Sequence, residues 1–110
     1  MRKTLNSLAL LLMLIMVIGA CKINIRLAEV GSLKGKRQIL KKIIARTKQR
    51  FSIAIAETAH HDEWKRAEIG FACVGNETSF VNSAVDKTID YIESLHLAEI
   101  IHTDIEIIHL

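Results

Sequence analysis

Met16-Val17-Ile18-Gly19-Ala20-Cys21-Lys22-Ile23-Asn24-Ile25-Arg26-Leu27 is the stretch on which the fold turns. Its alternate residues Val17, Cys21, Ile23, Ile25 and Leu27 are apolar, the period of a strand with one buried face. Lys22, Asn24 and Arg26 fall on the opposite face, so that side meets water or a partner. A second reading competes for the same residues. Arg2 and Lys3 precede the unbroken apolar run Leu8 to Ile18, which closes on Ile18-Gly19-Ala20-Cys21. A basic start, a short apolar core, small residues and a cysteine form the pattern of a bacterial lipoprotein signal. Under that reading the mature chain begins at Cys21 and loses the first part of the strand.

Length narrows the choice. The 110 residues suit one domain with a single core, needing neither metals nor a disulfide framework. The run Leu8 to Ile18 has 11 residues, well short of the roughly 20 that cross a bilayer. Residues 1–15 are therefore set apart as an apolar N-terminal extension, either a misassigned start or a signal-like segment, and 16–110 as the domain. The two cysteines, Cys21 and Cys73, are too far apart to form a metal-binding pair, and both lie among strand-forming residues, as buried reduced thiols do. A formal net charge of +3 is modest, so its placement matters more than its size.

After the first strand, Ala28 to Gly31 form a turn and Ser32 is placed to cap a helix. From Leu33 to about Arg50, the residues Leu33, Leu40, Ile43, Ile44 and Thr47, then Phe51, share one arc at helical spacing. Phe51 to Ala56 reads as a short strand and Thr58 to Lys65 as a polar loop. Arg66 to Val74 is rich in small and apolar residues, as an interior strand is. Asn76 is placed to cap a second helix over Glu77 to Leu95, with Val81, Ala84, Val85, Thr88, Ile92 and Leu95 inward and Asp86, Asp90 and Glu93 outward. Ile100 to Leu110 alternates as a half-exposed last strand, Ile105 and Ile107 set against Asp104 and Glu106.

The order βαββαβ, with right-handed crossovers, predicts an α+β ferredoxin-like sandwich. Four antiparallel strands form the sheet, and both helices cover one of its faces. The first strand is central in that arrangement, and starting the chain at Cys21 would strip hydrogen bonds from both neighbours. The other sheet face stays open.

Several separated motifs resemble the YlxP-like family of small bacterial proteins, a domain of unknown function. They are Met16 to Ile23; Ser32-Leu33-Lys34 with Lys36-Arg37; Phe51 to Glu57; Asp62 with Trp64-Lys65-Arg66-Ala67; Gly70 to Val74; and Asp90 to Ser94. The resemblance covers essentially Met16 to Leu110. Ala28 and Gly35 stand where the family often has a proline and an acidic residue, and Arg26 where histidine is common. Members commonly begin at the residue matching Met16 and carry the cysteine inside their first strand. That implies a cytoplasmic domain, with a membrane-anchored lipoprotein processed at Cys21 as the alternative.

Charge points to a partner class. The first helix carries Lys34, Lys36, Arg37, Lys41, Lys42, Arg46, Lys48 and Arg50, with no acid between Ser32 and Arg50. At 100° per residue, Lys34, Arg37, Lys41 and Lys48 form a stripe beside the buried arc, which suits a phosphate backbone. A merely solvated helix surface is the competing account. Lys22 and Arg26 complete the candidate RNA-binding set. Phe71 is the one aromatic well placed on a central strand and no aromatic RNP signature is present, which favours structured RNA over sequence-specific single strands.

Catalysis finds less support. His60-His61-Asp62-Glu63 are adjacent loop residues, a poor basis for a metal site, so no metal or cofactor is expected. A nucleophilic cysteine needs an exposed electropositive setting and a base, which strand-buried thiols lack. Ala28 to Gly31 supply no phosphate-cradling glycine loop. Glu57, Asp62 and Arg66 are expected to cluster around Trp64 in a structural role, with the indole over the sheet end as the resemblance implies. A non-enzymatic protein binding structured RNA or a ribosomal subunit is the leading reading, and the resemblance points to translation and ribosome maturation. The alternative is a protein-interaction module that homodimerises through an exposed sheet edge or face.

Overall fold

The computed structural model describes residues 16–110, and the extension with its signal-like pattern lies outside them. The elements are β1 (Val17–Arg26), α1 (Leu33–Arg50), β2 (Ala54–Ala59), β3 (Arg66–Gly75), α2 (Thr78–Ser94) and β4 (Glu99–His109). The strands form one antiparallel sheet in the order β2-β3-β1-β4. Both helices pack on the same face, which makes the chain a ferredoxin-like α+β sandwich.

Alternation in β1 organises the core. Val17, Cys21, Ile23 and Ile25 are buried beneath the helices, while Lys22 and Arg26 point away. Cys21 stands opposite Phe71 of β3 and Ile105 of β4. Val17 to Ala20 pair with Gly75 to Ala72 on one side and with His109 to Glu106 on the other. A chain starting at Cys21 would lose both sets of bonds. Gly19 belongs to the buried face, and a Cβ there would lie 2.7 Å from Val81 Cγ1 and from Val85 Cγ2. The missing side chain lets α2 rest directly on β1.

In α1 the expected cap forms, with Ser32 Oγ accepting from the Gly35 N–H at 3.0 Å. Leu40, Ile43 and Thr47 are buried, and so is Lys36. Thr47 donates its hydroxyl to the Ile43 carbonyl at 2.6 Å, which satisfies a polar group inside the core.

Three boundaries differ from expectation. Phe51 closes α1 instead of opening β2: its N–H donates to the Thr47 carbonyl at 3.0 Å and its ring meets Tyr91 edge-on at 5.6 Å. β2 consequently runs from Ala54 to Ala59, through Glu57 and Thr58, and the polar loop starts at His60, whose φ is 62°. The N-cap of α2 is Glu77, without a side-chain cap bond, and Asn76 does not serve. At β4, Ile105 faces the helix side yet is 46% exposed, because β4 is the sheet edge and α2 packs mainly over β1 and β3.

Candidate nucleic-acid interface

The helical wheel separates the cations of α1 into different environments. Lys34, Arg37, Lys41 and Lys48 are exposed along one strip. Arg37, Lys41 and Lys48 line a groove of about 430 Å³ between α1 and the β2 side of the sheet, with Leu40 and Ile44 along its floor. From Arg37 to Lys48 the helix rises about 16 Å. Lys34 continues the strip toward the helix start. Arg50 is drawn elsewhere, its guanidinium 5.3 Å from the Tyr91 ring centroid.

One carboxylate, Glu57, also borders this groove. The Lys36 ammonium lies 3.1 Å from Glu57 Oε2 and donates to the His60 carbonyl. The Lys36 side chain is wholly enclosed, so its charge serves Glu57 and not the surface. Glu57 is thereby neutralised, and the three groove cations face outward unopposed from within α1. The sequence held a signal for this: Lys36, Leu40, Ile43 and Thr47 follow the spacing of one buried helical stripe.

Lys22 and Arg26 do not join this surface. Strand alternation puts them on the sheet face away from both helices, Lys22 opposite Asp104 in register and Arg26 with its Nη1 3.7 Å from Glu99 Oε2. The candidate set is therefore split across two faces. Phe71 is likewise turned inward, 4% exposed and packed under the helices. No strand among the described residues presents an aromatic ring on the open face, so that face offers no base-stacking platform.

The open face carries a feature that the sequence reading missed. Ala20, Ala54, Ala56, Gly70 and Ala72 form the floor of a shallow trough of about 700 Å³, with Lys22, Asp104 and Glu106 around it. Ala54 and Ala56 alternate in β2 and Gly70 and Ala72 in β3, and the pairing of the two strands with β1 brings them beside Ala20.

The β2–β3 loop is organised differently from the expected cluster of Glu57, Asp62, Trp64 and Arg66. Arg66 Nε lies 3.6 Å from Glu63 Oε2, and its Nη2 is 3.1 Å from His60 Nε2. Glu63 Oε1 in turn sits 3.2 Å from His60 Nδ1. Glu57 is committed to Lys36 because β2 extends far enough to turn it under α1. Asp62 enters no ion pair among the described residues, and Trp64 is 51% exposed instead of packed over the sheet end.

Among the described residues no three metal-type donors converge. Burial, and secondarily Asp104, pushes the Cys21 thiol up to about 11. Burial also raises Cys73, against an opposing backbone bond from Gly19. Neither thiol has the lowered pKa of an activated nucleophile. No helix among the described residues is long and apolar enough to cross a membrane.

A family model described as "Protein of unknown function (DUF503)" matches residues 18–105. "Uncharacterized protein YlxP" of Bacillus subtilis (strain 168) is 30% identical over 78 residues, which is 71% of this chain and 85% of that protein. The solved structure of "De novo designed protein Foldit4" is similar with a TM-score of 0.46 and 12% identity, over 86% of this chain and 96% of its own.

Proposed function

The chain belongs to the DUF503 family of proteins of unknown function, and we propose that it is a non-enzymatic protein that binds structured RNA, free or within a ribosomal subunit, through α1. The observation carrying this reading is the groove in which Arg37, Lys41 and Lys48 stand over an apolar floor while Lys36 cancels Glu57. Cations spaced along a rigid helix neutralise successive phosphates and release counterions, which gives affinity without base identity. The inward Phe71 argues for phosphate and shape over single-strand stacking.

The test is the double charge reversal Arg37→Glu/Lys41→Glu. It is expected to abolish co-sedimentation with structured RNA or ribosomal subunits at low salt while leaving circular dichroism unchanged. Unaltered co-sedimentation would overturn the reading. A protein-interaction module is the second reading, favoured by the small-residue trough on the open face. It predicts the same reversal to be silent and Ala72→Arg to disrupt complexes instead.

A further inference from the structure

We propose that the outer edge of β4 pairs antiparallel with β4 of a second copy, about a twofold axis that passes midway between the two copies of Thr103, perpendicular to the sheet. β4 is the longest strand, with 11 residues, and it pairs with β1 on one side. No described strand pairs with its other side. Such an edge presents a row of N–H and C=O groups that templates another strand unless it is protected. Glu99 to His109 contains no lysine, proline or glycine, and its one irregularity is the register shift beside Asn24/Ile25, near its start. Ile101 and Ile105 are 48% and 46% exposed along this edge.

Charge selects the occupant and the register. A perpendicular twofold keeps side chains of like parity on one face, so each candidate axis residue gives one pattern of cross-strand neighbours. Centred on Asp104, that carboxylate would oppose the partner's Asp104. Centred on Ile105, Asp104 would oppose the partner's Glu106. Like charges directly opposite one another destabilise a sheet. Centred on Thr103, His102 faces the partner's Asp104 and Asp104 faces the partner's His102. Within one chain His102 Nε2 already lies 2.9 Å from Asp104 Oδ1, so the pairing joins two preformed His–Asp pairs. On the same axis Ile101 comes beside the partner's Ile105, which covers both exposed isoleucines. Of these three central registers, the one on Thr103 alone makes the strand complementary to a second copy of itself and brings Ile101 against Ile105. The result is an eight-stranded sheet with both helical layers on one side. The two β2 strands lie at its far edges, about 34 Å apart at the usual strand spacing.

The test uses the full chain carrying Thr103→Cys. Residues on a twofold within a strand pair have Cβ atoms about 5 Å apart, within reach of an oxidant or a short bis-maleimide. Thr103→Cys is expected to give a covalent dimer in high yield, Ile105→Cys and Ile101→Cys much less, and the unsubstituted chain none, its own thiols being buried. Sedimentation of the unsubstituted chain should show a dimer, and Ile105→Lys should weaken it at least tenfold with its circular dichroism intact. Three results overturn the proposal. One is a monomer at every concentration with β4 amides open to exchange. A second is a monomer whose β4 amides are protected, which means the edge is covered within a single chain. The third is a dimer that cross-links best through Ile101→Cys or Ile105→Cys, which refutes the register.

Discussion

Lys36 Nζ and Glu57 Oε2 lie 3.1 Å apart, and the lysine that reaches across from α1 to β2 has no solvent exposure at all. It is one of eight cations on its helix, but the arc it shares with Leu40, Ile43 and Thr47 carries it into the core. Removing one partner of a buried pair leaves the other charge unopposed, typically at a cost of about 3–5 kcal/mol. Glu57 retains some solvent, so Lys36→Met is expected to lower unfolding stability by roughly 3 kcal/mol in urea titrations. Lys36→Met/Glu57→Leu should recover much of that loss. Equal stabilities for Lys36→Met and the parent chain would show the pair to be idle.

The same residue links stability to the proposed site. With Lys36 gone, Glu57 returns a negative charge to the groove lined by Arg37, Lys41 and Lys48. For RNA binding measured across a salt series, Arg37→Ala, Lys41→Ala and Lys48→Ala should each reduce the slope of log affinity against log salt by about 0.7–0.9. Lys22→Ala should leave the slope unchanged, because Lys22 lies on the opposite sheet face. A Lys22→Ala effect as large as that of Lys41→Ala would contradict a one-sided interface.

Gly19 supplies a packing test. Its Cβ position lies 2.7 Å from methyl groups of both Val81 and Val85, contacts that no real side chain tolerates. Gly19→Ala must push α2 off β1, and overpacking of this kind costs about 1–3 kcal/mol. The midpoint of thermal unfolding should fall by several degrees, at roughly 4–8 °C per kcal/mol for a domain of this size. Gly19→Ala/Val85→Ala should regain part of it by opening room. No change in midpoint would mean that α2 does not rest on β1 as described.

The order of elements was legible because the 2- and 3.6-residue periods are uninterrupted in β1, β3, α1 and α2, where burial dominates. The sequence reading failed where a long-range pair overrides local character. Glu57 and Thr58 look like loop residues, yet the ion pair with Lys36 and the Thr58 hydroxyl, 2.7 Å from Glu68 Oε1, hold them in β2. The split of the cation set was also legible in principle. Lys22 and Arg26 alternate with a buried face that the helices must cover, so they could never share a side with α1. The Ala and Gly trough was less accessible, because only sheet register shows that Ala20, Ala54, Ala56, Gly70 and Ala72 converge.

Cys21 gives a prediction with a defined pH window. Its thiol titrates near 11 in the folded chain, against an ordinary value of 9.0, chiefly through burial and then through Asp104. The raised value means that the unfolded state loses its proton first. Stability from this group is therefore complete below pH 9 and drains away as pH rises toward 11. At 1.36 kcal/mol per pKa unit the loss amounts to about 2–3 kcal/mol. Cys21→Ala removes the titrating group, so its deficit relative to the parent should shrink, or reverse, between pH 8 and pH 11 in urea unfolding series. The same burial predicts that Cys21 resists alkylation at pH 8 until urea unfolds the sheet. A Cys21 that reacts at the rate of a free thiol in the native chain would place this strand outside the core.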